Sequence, residues 1–363
     1  MLLHCYLVLC VFVSLASVAV VPDHHKRLYE NDPCGDDAVC KKIDDCPGVT
    51  DLIKQGLRPK ICSFDSNEKP ILCCPTLTVD YKTDETISER MCTRYFREVC
   101  PGWVDNIVGG QSVEPKELPF MALIGYGKKP IEWRCGGSLI SKRYVLSAAH
   151  CTQLNNEKAA WVRLGELDLK SNTDDAKPID YQIVAHIDHP EYNPDENYND
   201  ITLYRLDKDV VFNEYIRPIC INILARNDTK AVAAGWGRVG VVEKESPKLL
   251  KADLDLWTLD KCYNLANDKL RLPKNLTDDM MCAGTIGEGP DTCQGDSGGP
   301  LFYAPTQKQH NNACYLLSQI GITSFGSQCG LEPAIYTNVV SYHLWIESIV
   351  WPVNGTSDLS IWD

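Results

Sequence analysis

Eighteen cysteines constrain this 363-residue chain more than any other feature of its sequence. Cys5 and Cys10 lie in an apolar run over residues 2–21, which predicts a signal peptide spanning residues 1–19 and cleaved near Ala19. The other sixteen cysteines are an even number, and in an oxidising compartment they are expected to form up to eight disulfides. No paired CxxC motif occurs in the sequence, so clustered cysteines indicate disulfides rather than zinc ligands.

Six of these cysteines fall within the 41 residues that end at Cys74. So short a stretch buries little apolar core, and three disulfides would supply the missing stability, so residues 31–75 are predicted to form a small disulfide-rich domain. Spacing alone leaves fifteen connectivities open, although the adjacent pair at the end is not expected to bond to itself. The six are Cys34, Cys40, Cys46, Cys62, Cys73 and Cys74.

Composition divides the rest of the chain into a polar linker, a larger domain and a tail. Residues 76–106 are rich in Thr, Asp, Glu and Lys with little apolar periodicity, which predicts a linker. Over residues 107–352, short apolar runs alternate with Gly, Pro, Asn and Asp clusters, a pattern typical of an all-β barrel or sandwich. One helix is predicted near the end of this domain, where apolar residues recur at helical spacing from Tyr342 to Val350. Residues 353–363 are the tail.

The overall charge and hydropathy exclude some classes of protein. A net charge of −13 argues against a nucleic-acid binder, which would need a basic stripe, and fits a soluble extracellular protein. Beyond the N-terminal run, no segment approaches the roughly 20 apolar residues that a membrane span requires. A membrane anchor is the alternative interpretation of that run, because it has no Lys or Arg ahead of its apolar residues.

Three short segments of the larger domain carry residue types suited to nucleophilic catalysis. A serine hydroxyl is a poor nucleophile at neutral pH, so it needs a base to take its proton and an acceptor to orient that base. One His, one Asp and one Ser supply these roles, and their joint occurrence downstream of an Ile-Val-Gly-Gly sequence predicts a serine peptidase. The segments are Ser147-Ala-Ala-His150-Cys151, Tyr198-Asn-Asp200-Ile201 and Gly295-Asp-Ser297-Gly-Gly-Pro300.

On these motifs, residues 107–352 resemble a trypsin-like serine protease of the chymotrypsin fold, and the six-cysteine module resembles a clip domain. That combination is typical of arthropod clip-domain proteases, and Cys314 with the run Ile320–Gly326 is most similar to the snake and persephone type. The resemblance implies an all-β fold of two six-stranded antiparallel β-barrels with the site between them and a C-terminal helix. It also implies an endopeptidase that requires no cofactor.

The resemblance assigns roles in catalysis and activation to residues around the nucleophile. His150 is the expected general base and Asp200 the carboxylate that holds its tautomer, while the N–H groups of Gly295 and Ser297 are expected to form the oxyanion hole. In this family the bond before the Ile-Val-Gly-Gly sequence is cut, and the new ammonium pairs with the Asp before the nucleophile. The corresponding residues here are Asn106, Ile107 and Asp296, and Asn stands where Arg or Lys is usual.

The resemblance also predicts the substrate pocket. Asp291 is expected at the floor of the S1 pocket, where a buried carboxylate favours an Arg or Lys side chain. Ser324 and Gly326 belong to the segment that is expected to pair with the substrate backbone. Ala334 stands where most trypsin-like relatives carry Gly, so its methyl group is expected to narrow the pocket wall.

Disulfide pairings are implied by the same resemblance. Cys220 is expected to tie the protease domain to the linker, with Cys100 as the preferred partner and Cys92 as the alternative, and the one left over is expected to pair with Cys314. The other expected pairs are Cys34–Cys73, Cys40–Cys62, Cys46–Cys74, Cys135–Cys151, Cys262–Cys282 and Cys293–Cys329.

Two side signals concern modification and metal binding. Three sequons predict N-glycosylation at Asn227, Asn275 and Asn354. An acidic stretch lies where some relatives bind calcium in a surface loop, and its oxygen ligands suit that ion, although a solvated acidic loop is an equally good interpretation. The candidate calcium ligands are Glu166, Asp168 and Asp175, near Asn172 and Asp174.

These features together predict a secreted endopeptidase zymogen of an immune or developmental cascade in haemolymph. Its expected partners are a protein substrate such as a downstream protease zymogen or cytokine precursor, an upstream activating protease and serpin-type inhibitors. One alternative is a non-catalytic homologue that acts as a binding cofactor through its clip domain, against which the intact Ser297 argues. Another is a digestive protease, against which the clip module and the unusual activation site argue.

Overall fold

The computed structural model describes residues 29–35, 38–46, 61–65, 69–75, 86–99, 113–221, 229–238, 245–266, 275–285, 295–303, 317–326 and 332–352. Contacts divide the chain into a small unit, Met1–Lys82 with Asn354–Thr356, and a large unit, Thr83–Val353 with Ser357–Asp363. The division falls inside the predicted linker, so most of that linker, from Thr83 onward, belongs to the large unit.

The small unit contains a four-stranded antiparallel sheet in the order β1-β2-β4-β3. Three disulfides cross it, Cys34–Cys73, Cys40–Cys62 and Cys46–Cys74, which are the pairs expected from the resemblance. Cysteines make up most of its buried clusters, so cross-links take the place of an extensive apolar core. The strands are β1 (Pro33–Gly35), β2 (Ala38–Lys42), β3 (Ile61–Phe64) and β4 (Pro70–Pro75).

The first barrel of the large unit occupies its N-terminal half. Six strands pair antiparallel in the order β10-β11-β7-β6-β5-β9, and β10 also pairs with β9, which closes the barrel. A two-residue strand, β8, pairs antiparallel with the start of β9. The strands are β5 (Met121–Tyr126), β6 (Glu132–Leu139), β7 (Tyr144–Ser147), β8 (Gln153–Leu154), β9 (Glu157–Leu164), β10 (Ile179–Asp188) and β11 (Thr202–Leu206).

The second barrel repeats this arrangement. Its six strands run in the order β17-β16-β13-β14-β15-β18 and close through β17 and β18, while the two-residue strand β12 lies parallel to β17. The prediction of two six-stranded antiparallel barrels is confirmed. The strands are β12 (Cys220–Ile221), β13 (Lys230–Gly235), β14 (Leu250–Trp257), β15 (Met280–Gly284), β16 (Pro300–Tyr303), β17 (Ser318–Phe325) and β18 (Ala334–Asn338).

One hydrophobic cluster extends from the first barrel into the second, and the strands of the second barrel also enclose a smaller cluster of their own. The ring of Phe120, at the entry to β5, meets that of Phe302 on β16 edge-to-face, with centroids 5.3 Å apart. A buried hydrogen bond of 2.6 Å from the Ser138 hydroxyl to Gln319 Oε1 also joins them. The loops that carry the catalytic motifs are therefore held against each other by a packed interface.

Three α-helices lie in the described part of the large unit: α1 (Ile87–Val99), α2 (Leu259–Ala266) and α3 (His343–Val350). The predicted C-terminal helix is α3. The sequence interpretation missed α1, which lies in the segment assigned to a linker. Two further short 3₁₀ turns, Ala149–Thr152 and Val339–Tyr342, become important at the site. None of the described helices has the length and apolarity needed to cross a membrane.

Helix α1 forms because one of its faces is buried. Cys92, Tyr95 and Phe96 are buried, the N–H of Ser88 donates to Glu347 Oε1 at 2.8 Å, and Trp351 Nε1 donates to the Tyr95 hydroxyl at 3.0 Å. A capping box closes its first turn, with the N–H of Thr86 bonded to Glu89 Oε2 at 2.8 Å and the N–H of Glu89 to Thr86 Oγ1 at 3.4 Å. The Thr-x-x-Glu pattern in the sequence indicates the start of this helix, but the polar composition of the segment led to its assignment as a linker.

Candidate active site

His150 and Asp200 are locked together by two hydrogen bonds. His150 lies on the 3₁₀ turn after β7, which the disulfide between Cys135 on β6 and Cys151 holds against the first barrel. The backbone N–H of His150 donates to Asp200 Oδ1 at 2.9 Å, and His150 Nδ1 lies 2.8 Å from Asp200 Oδ2. A proton on Nδ1 donates to the carboxylate, so Nε2 is left to accept a proton from a nucleophile.

Asp200 is buried and keeps its charge through its partners. Its side chain accepts from the hydroxyl of Ser324 on β17 as well as from His150, and the hydroxyl of Thr337 on β18 donates to its backbone carbonyl at 2.8 Å. Thr337 was not singled out in the sequence, because no local signal marks a contact between residues so far apart along the chain. The second barrel thus orients a carboxylate that belongs to the first.

The pKa values of the pair respond to these contacts. Burial alone would raise the pKa of Asp200, but the charge and hydrogen bond of His150, with the Ser324 hydroxyl, lower it below its usual value. Burial lowers the pKa of His150, but the charge and hydrogen bond of Asp200 outweigh burial and raise it. The site therefore stabilises the imidazolium that forms when His150 takes a proton.

Ser297 is held between the two barrels by its backbone and its neighbours. The N–H of Gly136 on β6 donates to the Ser297 carbonyl at 2.8 Å, and the N–H of Gly298 donates to the Thr323 carbonyl on β17 at 2.8 Å. Gly298 has a φ of 78°, and a Cβ there would lie 2.7 Å from the Gly136 carbonyl oxygen, so only glycine fits. Gly295, with a φ of 100°, precedes the same turn.

Asp296 lies buried behind this turn. Its Oδ1 accepts the N–H of Gly237 at 2.8 Å, and a side chain on Gly235 or Gly237 would clash with its carboxylate. The glycines of this segment therefore make room for a buried carboxylate next to Ser297. Asn106 and Ile107, the predicted activation residues, lie outside the described residues.

The expected substrate-pocket residues lie at the adjoining ends of two paired strands. Ser324 and Gly326 stand at the end of β17, and Ala334 begins β18, with Phe325 paired to Ile335. Ala334 is buried, and a Cβ built on Gly326 would lie 3.4 Å from its methyl carbon. The methyl of Ala334 thus points at the open space that Gly326 leaves. Asp291 lies outside the described residues.

The structure corrects the preferred disulfide of the linker. The Cys92 sulfur bonds to Cys220 on β12, whereas Cys100 was the preferred partner from the resemblance. The reason is α1, whose buried face places Cys92 against β12. Cys135–Cys151 and Cys262–Cys282 form as expected. Cys100, Cys293, Cys314 and Cys329 lie outside the described residues.

The expected calcium ligands do not form one cluster in the structure. Glu166 pairs with Arg163 at 3.2 Å, and Asp175 accepts from the Tyr215 hydroxyl at 2.8 Å and lies 3.4 Å from Lys116. Within the described ranges, the only clusters of potential metal ligands contain disulfide-bonded cysteines, and Asp168 belongs to neither. The carboxylates are engaged in separate ion pairs and hydrogen bonds, and calcium binding by this loop stays a prediction.

One of the three predicted glycosylation sites can be placed. Asn275 is exposed at the surface of the large unit, just before β15, as an attached glycan requires. Its backbone carbonyl accepts a 2.9 Å hydrogen bond from the Tyr198 hydroxyl. Asn227 and Asn354 lie outside the described residues.

Comparisons with known proteins agree with this architecture. A family model described as Trypsin matches residues 107–346. The chain is 35% identical to serine protease snk of Drosophila melanogaster, over 82% of this chain and 72% of that protein. It is 32% identical to CLIP domain-containing serine protease HP8 of Bombyx mori, over 87% of this chain and 92% of that one. The structure of neuropsin, a serine protease of mouse brain, superimposes with a TM-score of 0.54 and 31% identity, covering 67% of this chain and 100% of neuropsin.

Proposed function

The chain belongs to the trypsin family and is a trypsin-like serine endopeptidase, and from that premise we propose that it is a secreted zymogen whose catalytic triad is His150, Asp200 and Ser297. The observation that carries the proposal is the pair of bonds, 2.8 and 2.9 Å long, by which Asp200 fixes His150. Together with the bond from Gly136 to the Ser297 carbonyl, it supports a base and a nucleophile held on one rigid framework.

Catalysis follows from these roles. Ser297 Oγ attacks the scissile carbonyl while His150 Nε2 takes its proton, and the charge of Asp200 stabilises the resulting imidazolium. The N–H groups of Gly295 and Ser297 bind the oxyanion of the tetrahedral intermediate. His150 then gives its proton to the leaving amine, and water, deprotonated by the same imidazole, hydrolyses the acyl-enzyme.

Labelling with a peptidyl arginine phosphonate tests the proposal. Such a reagent phosphonylates only an activated serine, with loss of a phenol, and its arginine matches the cleavage after Arg or Lys that we propose for the Asp291 pocket. We expect mass spectrometry of the activated protein to find one modified peptide, containing Ser297. The unactivated chain is the control and should not react. Modification of a different serine, or equal labelling before and after activation, would contradict the assignment.

Primary specificity is expected to respond to Ala334. Its methyl group stands 3.4 Å from the Cβ position of Gly326, in a wall that a long cationic side chain must pass. Because crowding of this kind typically costs about 1–3 kcal/mol, Ala334→Gly should raise kcat/KM on Arg substrates by about 5- to 150-fold. Kinetics on matched Arg and Lys peptides measure the change, and equal or lower values for the variant would reject the role of the methyl group.

We place this activity in an extracellular cascade of immune or developmental signalling. A relative of similar architecture is described as a CLIP domain-containing serine protease, which supports a regulatory rather than a digestive role. The substrate in this proposal is another protein, such as a downstream zymogen, and serpin-type inhibitors are the expected regulators. Cleavage after Asn106 would leave the N-terminal part attached through the Cys92–Cys220 disulfide.

A further inference from the structure

The loop that carries Asp200 belongs to the first barrel, yet residues from the C-terminal half of the chain hold it in place. The Tyr198 hydroxyl donates to the Asn275 carbonyl at 2.9 Å, and the Thr337 hydroxyl donates to the Asp200 carbonyl at 2.8 Å. These contacts fix the residues at either end of the Tyr198–Asp200 tripeptide. The residue between them, Asn199, has an anchor of its own.

Asn199 adopts a backbone conformation that depends on its side chain. Its φ is 55°, in the left-handed region that asparagine tolerates best among residues with a side chain. Its Nδ2 donates to the Glu191 carbonyl at 3.0 Å, and its Oδ1 accepts from the Tyr342 hydroxyl at 2.9 Å. The amide is thus bonded at both ends, and it fixes the peptide that leads directly into Asp200.

Tyr342 is itself a rigid anchor. It ends the 3₁₀ turn that begins at Val339, and this turn is tied down by bonds from the Ser341 hydroxyl to the Asp278 carbonyl at 3.3 Å and from Asn338 Nδ2 to the same carbonyl at 3.0 Å. The Tyr342 ring is buried and packs edge-on against His189, with centroids 5.2 Å apart. Its hydroxyl position is therefore set by the surrounding structure before it meets Asn199.

We propose that Tyr342 is a positioning residue for Asp200 and acts through Asn199. The inference rests on the catalytic role proposed for Asp200. Without the hydroxyl, Asn199 Oδ1 loses its anchor, and the loop samples arrangements in which Asp200 does not make both of its bonds to His150. Asp279 Oδ2 lies 3.3 Å from the same hydroxyl and competes for its proton, but the shorter contact is the one to Asn199.

Kinetics of Tyr342→Phe test the proposal, because phenylalanine keeps the packing on His189 and removes only the hydroxyl. For the activated full-length protein we expect kcat to fall about tenfold, the effect of losing one buried hydrogen bond, while KM stays within about twofold. Tyr181→Phe is the matched control, since Tyr181 is a buried tyrosine of β10 in the first barrel, and its kcat should match that of the wild type.

The pH profile separates positioning from general destabilisation. Since Asp200 raises the pKa of His150, a loosened Asp200 should lower it, and the acid limb of kcat/KM should move to lower pH in Tyr342→Phe. Burial raises the pKa values of Tyr192, Tyr204 and Tyr342, which face Asp200, so these groups do not titrate in that range. Burial lowers the pKa of His189, whose ring packing the variant retains.

A double-mutant cycle tests the route through Asn199. If Tyr342 acts through that side chain, the variant carrying both Tyr342→Phe and Asn199→Ala should lose no more kcat than Asn199→Ala alone. Fully additive losses would overturn the proposed route, and an unchanged kcat and acid limb in Tyr342→Phe would overturn the positioning role. If Tyr342→Phe does not fold, Asn199→Ala must by itself lower kcat and shift the acid limb, or the proposal fails. Ser297→Ala serves as the reference, because activity of that variant within tenfold of the wild type would reject the catalytic assignment itself.

Discussion

Replacing Ser297 with alanine is expected to lower kcat/KM on the order of 10⁶-fold while leaving the fold intact. The hydroxyl is the proposed nucleophile, and removing it leaves His150 and Asp200 with no group to activate. Protein contacts that place the residue run through its backbone, whose carbonyl accepts the N–H of Gly136 at 2.8 Å. The substitution should therefore remove chemistry without removing structure.

Three measurements make this test decisive: peptidase activity after activation, confirmed exposure of the new N-terminus, and thermal unfolding. Ser348→Ala is a suitable control, because Ser348 lies on α3, outside the residues assigned to the site, and its hydroxyl donates within that helix to the Trp345 carbonyl at 2.7 Å. We expect the two variants to unfold at temperatures within a few degrees of each other. Activity of Ser297→Ala within tenfold of the control would reject Ser297 as the nucleophile.

The fold was predictable chiefly because the catalytic motifs are dense and ordered. Short apolar runs between turn residues indicate strands, but they do not distinguish a barrel from a sandwich, and it was the resemblance around His150, Asp200 and Ser297 that predicted two barrels. The strand ladder agrees, with Thr202 after Asp200 paired to Ser147 ahead of His150. The local sequence thus identified the chemistry, and the chemistry identified the fold.

Contacts between residues far apart in the sequence could not be predicted from local sequence patterns. Helix α1 is mostly polar in composition and owes its stability to a buried face, a disulfide and Glu347 near the other end of the chain. The choice between Cys92 and Cys100 depended on that helix, so the pairing with Cys220 was assigned wrongly. The hydrogen bonds from Thr337 to Asp200 and from Tyr342 to Asn199 could not be predicted for the same reason. No local sequence pattern marks either residue, because each contacts the loop around Asp200 only once the barrels have folded.

The expected calcium ligands lie apart in the structure for a different physical reason. A cluster of acidic residues in sequence supplies ligands only if the backbone turns them toward one point, and here nearby cations and hydroxyls take them instead. Arg163 bonds to Asp180 at 2.7 Å as well as to Glu166 at 3.2 Å, so one guanidinium satisfies two carboxylates. A run of acidic residues in the sequence is therefore not enough to predict that their carboxylates bind one metal ion.

Activation yields the second large prediction, because Asn106 stands where the family resemblance implies Arg or Lys. The bond before Ile107 follows Asn106, so a trypsin-like protease should leave the wild-type zymogen inactive. Cleavage at Arg97, the nearest upstream basic residue, would leave Ile107 acylated, with no ammonium to meet Asp296. An activator must accept Asn, as an asparaginyl endopeptidase or a broad-specificity microbial protease does.

Asn106→Arg should therefore convert the protein into a zymogen that trypsin activates. Asp296 is buried with its Oδ1 on the N–H of Gly237, and in the activation that we propose its carboxylate pairs with the free amine of Ile107, which only cleavage after residue 106 supplies. The test treats wild type and variant with trypsin, then reads peptidase activity and the new N-termini. We expect activity and an Ile-Val-Gly-Gly terminus in the variant alone. Equal activation of the wild type, with Ile107 exposed, would show that Asn106 is no barrier, and the requirement for an Asn-accepting activator would fall with it.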